Sequence, residues 1–182
     1  LRKKFFLVIL QVSTDSQLTE GSDIKDNNKF IYEVIKEFSE AKLNNINLVF
    51  KHHPRDRGYT NYHNEIQNLA NEFGVSNNVF YIHDYYLSKL FQNSNCMGTV
   101  LINSTVGYQS LYHSVPVKSL GITPYNIKGL SDQKDLASFF KNPSPVDKLL
   151  FNKFYKYILE NSQINGNFDG FFPFKKVFIT KK

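Results

Sequence analysis

Short apolar runs alternate with amphipathic segments along the chain, and this alternation constrains the fold more than any other feature of the sequence. The apolar runs have the length of buried strands, whereas the segments between them repeat their apolar residues at helical spacing. Short connections between the segments predict an α/β fold with a parallel sheet and helices on both faces. The predicted strands are 5–12, 47–51, 79–82, 99–103 and 116–120, and the predicted helices are 30–38, 62–73, 87–92, 106–112, 135–140 and 147–161.

Polar segments follow the first four predicted strands and indicate where a ligand binds. They cover residues 11–15, 52–55, 83–84 and 103–107. In a parallel sheet, ligands bind beyond the carboxyl ends of the strands, which all lie at one edge. We therefore expect the four segments to open onto a single site.

A basic loop with the sequence KHHPRDRGYTNY begins at the end of the second strand. Pro54 lacks a backbone N–H and ends the strand, and Gly58 permits a tight turn. Lys51 and Arg57 supply positive charge and His53 adds a directed donor, a combination that suits a phosphate-bearing ligand. The alternative is a solvated basic loop, which is the usual role of clustered charges.

Asn103, Ser104 and Thr105 join the fourth strand to the next helix. The first N–H groups of a helix have no partner within the helix and carry partial positive charge. A phosphate at this position would accept hydrogen bonds from those N–H groups and from the two hydroxyls. The alternative is an ordinary helix cap provided by Ser104.

Two further segments offer groups for a sugar and a base. Asp15 is a candidate nucleophile or general base in sugar transfer, and Gln11 is a candidate partner for sugar hydroxyls. A nucleotide base fits beside His83 and Asp84, where backbone groups at the strand end would bond its edge. The alternative for both segments is a polar turn, because Ser, Thr and Asp favour turns.

Charge and composition limit the classes of partner. The formal net charge of +6 is compatible with nucleic acid, anionic lipid or a phosphorylated substrate. The cations are spread along the chain, which argues against nucleic acid. A single cysteine excludes an internal disulfide framework and a multi-cysteine zinc site, and the spacing of the histidines argues against a metal site.

The ends and the apolar runs of the chain give expectations about its cellular setting. The longest apolar run, 5–10, is too short to cross a bilayer, and we find no secretory signal. We therefore expect a reducing, cytoplasmic setting. Because the sequence begins with Leu rather than Met, we also expect it to be part of a longer protein.

In combination, these segments resemble the capsule polysaccharide biosynthesis proteins of Gram-negative bacteria, the group that transfers β-linked Kdo from CMP-Kdo. The combination is specific, although each segment alone is not. The matching segments run in order along nearly the whole chain: LQVSTDSQL at 10–18, LVFKHHPRDRGYTNY at 48–62, YIHDYYLSKL at 81–90, INSTVGYQSL at 102–111, PVKSLGITPYNIKGLS at 116–131 and SQINGNF at 162–168.

The resemblance implies a glycosyltransferase of the GT-B type, in which two Rossmann-like domains face a cleft. The chain resembles the C-terminal, nucleotide-binding domain, which we expect to cover residues 1–168. Residues 169–182 form a tail that matches least. Its Phe and Lys residues suit packing against the rest of the protein, or contact with a membrane surface.

The resemblance also implies roles for individual residues. The His-Pro motif of the family corresponds to His53 and Pro54, and its strand-end serine corresponds to Ser104. Both resemble elements that hold the phosphate of CMP. The Gln-x-x-x-Asp element corresponds to Gln11 and Asp15, and it implies that Asp15 is the nucleophile of a retaining double displacement.

The implied enzyme is a retaining β-Kdo transferase of which this chain is an incomplete part. CMP-Kdo is its donor substrate, and the resemblance implies no other cofactor. The acceptor is a (lyso)phosphatidylglycerol-type lipid, so the protein would be peripheral to the inner membrane and work beside other capsule biosynthesis or export proteins.

Other functions remain open. The main alternative is a non-catalytic capsule assembly or export module that keeps a nucleotide pocket. A sialyltransferase-like enzyme, or another transferase of CMP-sugars or polyol phosphates, would also use a His-Pro motif and a strand-end serine. Nucleic-acid binding through the positive charge is the weakest alternative.

Overall fold

The computed structural model describes residues 2–12, 24, 26–56 and 58–161. It contains all the predicted strands and helices, with small shifts at their ends. The strands are β1 (Lys4–Ile9), β2 (Ile46–Lys51), β3 (Val79–Ile82), β4 (Cys96–Leu101) and β5 (Val117–Ser119). The helices are α1 (Asn27–Glu40), α2 (His63–Glu72), α3 (Leu87–Phe91), α4 (Val106–Tyr112), α5 (Leu136–Lys141) and α6 (Lys148–Asn161), and 3₁₀ turns cover Pro54–Asp56 and Ser76–Asn78.

The five strands form one parallel sheet in the order β3-β2-β1-β4-β5. Strand β1 lies in the middle of the sheet. Strands β2 and β3 lie on one side of it, and β4 and β5 lie on the other side. The connections therefore leave β1 and β4 in opposite directions, which opens a crevice beyond their carboxyl ends. This is the edge at which the sequence predicts a ligand site.

Two apolar cores cover the two faces of the sheet, as the continuous apolar runs predict. Alternate residues of β1 point to opposite faces, so Phe6 and Val8 enter one core while Phe5 and Leu7 enter the other. Helices α1, α2 and α5 cover the first face, and α3, α4 and α6 cover the second. The prediction of a Rossmann-like parallel sheet with helices on both faces is confirmed.

The fourth strand begins earlier than predicted, at Cys96 instead of Thr99. Its first residues are only partly apolar, but Cys96 pairs with Phe5 of β1 and Gly98 pairs with Phe6. The sheet register therefore extends the strand beyond its apolar run. Burial raises the pKa of the Cys96 thiol to about 12.

Gly107, in the first turn of α4, lies directly against the aromatic ring of Tyr125. Tyr125 is almost completely buried and belongs to the segment that follows β5. A Cβ atom at position 107 would overlap the Tyr125 ring and its hydroxyl. Only glycine lets the helix and this ring pack so closely.

We predict that Gly107→Ala destabilises the fold by about 1–3 kcal/mol, because neither the buried ring nor the helix has room to move away. Urea unfolding followed by circular dichroism measures the change. Gln109→Ala on the exposed side of the same helix is the control and should stay within about 0.5 kcal/mol of the wild type. Equal stability of the two variants would contradict the packing described here.

Candidate functional site

The side chains of Gln11 and Asn103 join the ends of β1 and β4 across the crevice. The Gln11 amide nitrogen donates to Asn103 Oδ1 at 2.8 Å, and Gln11 Oε1 accepts from the Asn103 backbone N–H at 3.1 Å. Both residues are sequence-predicted site residues, and the fold brings them together. In this arrangement the Gln11 amide, which is buried, holds two strand ends in place. Its predicted contact with sugar hydroxyls remains a prediction.

The side chain of Asn27, at the start of α1, bonds the backbone of Gln11, at the end of β1. The segment that carries Asp15 lies between these two residues in the sequence. The Asn27 side chain accepts from the backbone N–H of Gln11 at 3.2 Å and donates to the Gln11 carbonyl at 2.7 Å. It also donates to the hydroxyl of Tyr62 at 3.0 Å. Asp15 itself lies outside the described residues, and its role as nucleophile remains a prediction.

Lys51 ties the end of β2 to the end of β3. Its buried ammonium group donates to the carbonyl of His52 at 2.9 Å and to the carbonyl of His83. A buried ammonium group needs such acceptors, because desolvation without them is costly. A ligand that contacts Lys51, as predicted, would therefore share its ammonium group with the carbonyls at the ends of β2 and β3.

His52 is buried behind the loop, in a cluster of aromatic rings. Its Nδ1 bonds the hydroxyl of Tyr81 at 2.6 Å, and its ring packs against His83 with 4.7 Å between centroids. Burial lowers the pKa of His52 from its ordinary value of 6.5, and this effect outweighs the hydrogen bond and the charge of Asp56, which act in the opposite direction. The imidazole of His52 is therefore neutral near pH 7.

His53 points to the other side of the chain, as expected for adjacent residues in an extended segment. It is partly exposed, and its Nδ1 accepts from the backbone N–H of Arg55 at 3.1 Å. A neutral ring with Nδ1 as acceptor carries its proton on Nε2. This Nε2–H is a directed donor, which suits the oxygen of a phosphate.

A pocket of about 550 Å³ opens beside this loop, beyond the carboxyl ends of β1 and β2. The size is typical of small-molecule sites. One wall consists of the basic loop: Lys51, His52, His53, Pro54 and Arg55. The other residues that line the pocket are apolar or aromatic: Ile9, Leu10, Tyr85, Tyr86, Leu87 and Val106.

The pocket contains some of the predicted substrate-binding residues and not others. Lys51, His53 and Pro54 line it. The other predicted residues that the structure describes, His83, Asp84, Asn103, Ser104 and Thr105, lie outside its lining, and Arg57 lies outside the described residues.

The sequence reasoning missed Tyr85 and Tyr86 as pocket residues. It placed Arg55 in the strand-end segment 52–55 but did not name it as a binding residue. The two tyrosines follow the polar end of β3, and extending the segment 83–84 by two residues would have included them.

The start of α4 does not offer the open N–H groups that we expected for a phosphate. The helix has seven residues, and its N-cap residue is Thr105, whose side chain makes no capping bond. The N–H groups of Val106 and Gly107 bond to Ser104, at 3.2 Å to its hydroxyl and 3.1 Å to its carbonyl. The N–H of Tyr108 bonds to the Thr105 carbonyl at 3.1 Å. The expectation of a free helix end is therefore wrong, whereas the Ser104 hydroxyl caps the helix start through its bond to the Val106 N–H.

Ser104 is nevertheless held in a defined position. Its carbonyl also accepts from the buried hydroxyl of Tyr125 at 2.5 Å. Because the Ser104 hydroxyl is the acceptor in its bond to the Val106 N–H, it keeps its own proton as a donor. Ser104 contributes a hydroxyl to the strand edge, without the help of a helix end.

Two searches of the described residues bear on ligands and membranes. No group of three or more His, Cys, Asp or Glu side chains in this part of the chain is placed to hold a metal ion. Among the same residues, no helix combines the length and the apolar character that a membrane span requires.

We predict that the free energy of unfolding decreases as the pH falls below the ordinary histidine value of 6.5, through a contribution from His52. The unfolded chain binds a proton at His52 in this range while the folded chain does not, so acid favours unfolding until the lower folded pKa is reached. Urea titrations between about pH 7.5 and about pH 5.5 measure the effect.

The control for this prediction is His52→Gln, in which the pH dependence should be smaller than in the wild type. The ring protons of His52 in NMR titrations give a direct check that does not depend on the variant. A His52 pKa at or above its ordinary value would contradict the buried, neutral imidazole.

Comparison with known proteins places these features in a family. The family described as "Capsule polysaccharide biosynthesis protein" matches residues 1–169. The capsule polysaccharide modification protein LipB of Neisseria meningitidis serogroup B is 41% identical over 176 residues, which are 95% of this chain and 42% of LipB. The capsule polysaccharide export protein KpsS of Escherichia coli is 37% identical over 166 residues, which are 91% of this chain and 42% of KpsS.

One solved structure shares the fold. KpsC from Thermosulfurimonas dismutans, described as a β-Kdo 2,7 transferase, superposes with a TM-score of 0.52 and 22% sequence identity. The match covers 83% of this chain and 44% of that chain. At this identity the likeness supports the α/β fold.

The two curated relatives are longer than this chain, which spans about two fifths of their length. Within that span the similarity is continuous and includes both the basic loop and the strand edge. The chain belongs to the capsule polysaccharide biosynthesis protein family.

Proposed function

We propose that this chain is the nucleotide-sugar-binding domain of a β-Kdo transferase that uses CMP-Kdo in capsule polysaccharide biosynthesis. The observation that carries the proposal is the pocket beside the basic loop, at the carboxyl edge of the sheet. This is the place where parallel α/β sheets bind nucleotides. The fold likeness to a β-Kdo transferase and the family membership support the same function.

The basic wall of the pocket has the chemistry that a nucleotide phosphate requires. Lys51 and Arg55 provide positive charge, and the Nε2–H of His53 provides a directed hydrogen bond. A bound nucleotide would place its phosphate against these groups of the basic loop, and its base and ribose against the apolar and aromatic lining residues.

In the proposed reaction, Asp15 attacks the anomeric carbon of Kdo and CMP leaves as a phosphate monoester. The bond between the sugar carbon and the phosphate oxygen breaks as the bond to the Asp15 carboxylate forms. The basic wall stabilises the negative charge on the departing CMP. An acceptor hydroxyl then displaces Asp15, so two inversions retain the configuration of the sugar.

We further propose that the acceptor is a (lyso)phosphatidylglycerol-type lipid at the inner membrane. The remaining length of the relatives would supply the second domain of a GT-B enzyme and the acceptor site. Other capsule biosynthesis or export proteins would be the partners of this enzyme.

A second candidate function is a non-catalytic module in capsule assembly or export. The name of the Escherichia coli relative, a capsule polysaccharide export protein, favours this candidate. Such a module has no need of a carboxylate nucleophile, although it would still bind a nucleotide. Asp15 therefore separates the two candidates, because only the transferase depends on it.

We predict that the chain binds CMP, and that His53→Ala weakens CMP binding by about ten- to a hundredfold. This range corresponds to the loss of one hydrogen bond to a charged group. Isothermal titration calorimetry measures both affinities. Cytidine, which lacks the phosphate, should bind equally to the wild type and the variant.

The control is His63→Ala, which removes an exposed histidine from α2 that does not line the pocket. It should leave CMP affinity unchanged. If His53→Ala is folded and still binds CMP like the wild type, the phosphate does not lie against this wall.

We predict that Asp15→Asn in the full-length protein abolishes Kdo transfer while CMP affinity changes little. A nucleophile acts on the sugar carbon and not on the nucleotide, so its loss removes the chemical step alone. Transfer is measured with CMP-Kdo and a lipid acceptor, and a trapped glycosyl adduct on Asp15 would identify the nucleophile. Normal turnover by the variant would show that another residue is the nucleophile.

A further inference from the structure

Tyr85 and Tyr86 line the pocket together with the basic loop, and we call this pair the tyrosine wall. Their exposed fractions are 55% and 74%. Large aromatic rings usually bury most of their surface, because the apolar area is costly to leave in water. Two consecutive exposed rings on a pocket wall are therefore suited to hold an apolar, planar ligand group.

The backbone of the tyrosine wall is fixed on both sides. Before it, the His83 carbonyl accepts from the N–H of Tyr85 at 3.2 Å and from the buried ammonium group of Lys51. After it, the Tyr86 carbonyl accepts from the N–H groups of Lys89 and Leu90, at 3.1 and 3.3 Å, and so begins α3. The rings are exposed because a short, anchored turn presents them to solvent.

One face of Tyr86 is already occupied by a cation. The ammonium group of Lys89 lies 5.6 Å from the centre of the Tyr86 ring, within the range of a cation–π interaction. This contact restrains the ring from one side. A ligand ring can then stack on the opposite face without having to immobilise a freely rotating side chain.

We expected backbone groups at the end of β3 to bond the edge of a nucleobase, and this contact remains a prediction. The carbonyl of His83 already accepts from Lys51 and from the N–H of Tyr85. The tyrosine wall offers stacking as a further interaction with a base at this strand end.

We propose that the tyrosine wall is the base subsite of the pocket, where a nucleobase stacks on Tyr85 and Tyr86 while the phosphate lies against His53 and Arg55. This inference rests on the proposed binding of CMP. It adds the residues that hold the base and the type of contact they make. Stacking tolerates different bases, because every base has a π face.

The test compares three ligands with the double variant Tyr85→Ala/Tyr86→Ala. CMP contains base and phosphate, cytidine contains the base without phosphate, and ribose 5-phosphate contains phosphate without base. Calorimetry should show that the double variant weakens CMP and cytidine by about 5- to 150-fold, the range for the loss of one base–aromatic stack. Ribose 5-phosphate should bind with unchanged affinity.

Two control variants make the result specific. Tyr85→Phe/Tyr86→Phe keeps the rings and should keep CMP affinity within about twofold of the wild type, because stacking needs the π face and not the hydroxyl. Tyr112→Ala removes another exposed tyrosine, on α4 and outside the pocket lining, and should change nothing.

The outcomes separate this inference from the proposed function. If the wild type binds CMP and the double alanine variant binds it equally well, the base subsite is wrong and the proposed function stands. An equal loss of affinity for CMP and ribose 5-phosphate would also overturn the subsite, since the variant would then disturb the phosphate wall. Failure of the wild type to bind CMP would overturn both.

Discussion

The hydrogen-bonded pair of Gln11 and Asn103 is the contact on which the geometry of the strand edge depends. It joins β1 and β4, from whose ends the chain turns in opposite directions, at the point where the strand order reverses. Beyond this point the backbone ladder no longer holds the two strands together, and side chains must do so. Two hydrogen bonds between buried or partly buried amides are costly to break, because each lost partner leaves a desolvated polar group.

From this pair, hydrogen bonds extend to the other strands of the edge. Asn27 bonds the backbone of Gln11 and the hydroxyl of Tyr62, so the loops after β1 and β2 are held together. On the far side, Lys51 bonds the carbonyls at the ends of β2 and β3. The basic wall and the tyrosine wall of the pocket are therefore two parts of one hydrogen-bonded edge.

The sequence was sufficient to predict the fold because the residues of the two apolar cores recur in it at the spacing of strands and helices. Alternate residues of β1 enter different cores, and the helices repeat their apolar residues on one face. The start of β4 was not predictable from the sequence, because it depends on pairing of Cys96 with β1 and not on apolar character.

The site was only partly predictable, for a physical reason. The rule that ligands bind beyond strand ends predicts the edge at which the pocket lies. It does not say which polar groups there are already used in hydrogen bonds between the strand ends. Lys51 and Asn103 were expected to serve a ligand, yet both bond other strand ends. Conversely, Tyr85 and Tyr86 look like ordinary apolar residues in the sequence, and only the fold shows that they remain exposed at a pocket.

Under the proposed function, the two walls together would favour recognition of the leaving group over recognition of the sugar. A phosphate on the basic wall and a base on the tyrosine wall would account for the CMP half of the proposed donor without a contact between this pocket and Kdo. Choice of sugar and acceptor would then fall to the segment that carries Asp15 and to the remaining length of the relatives.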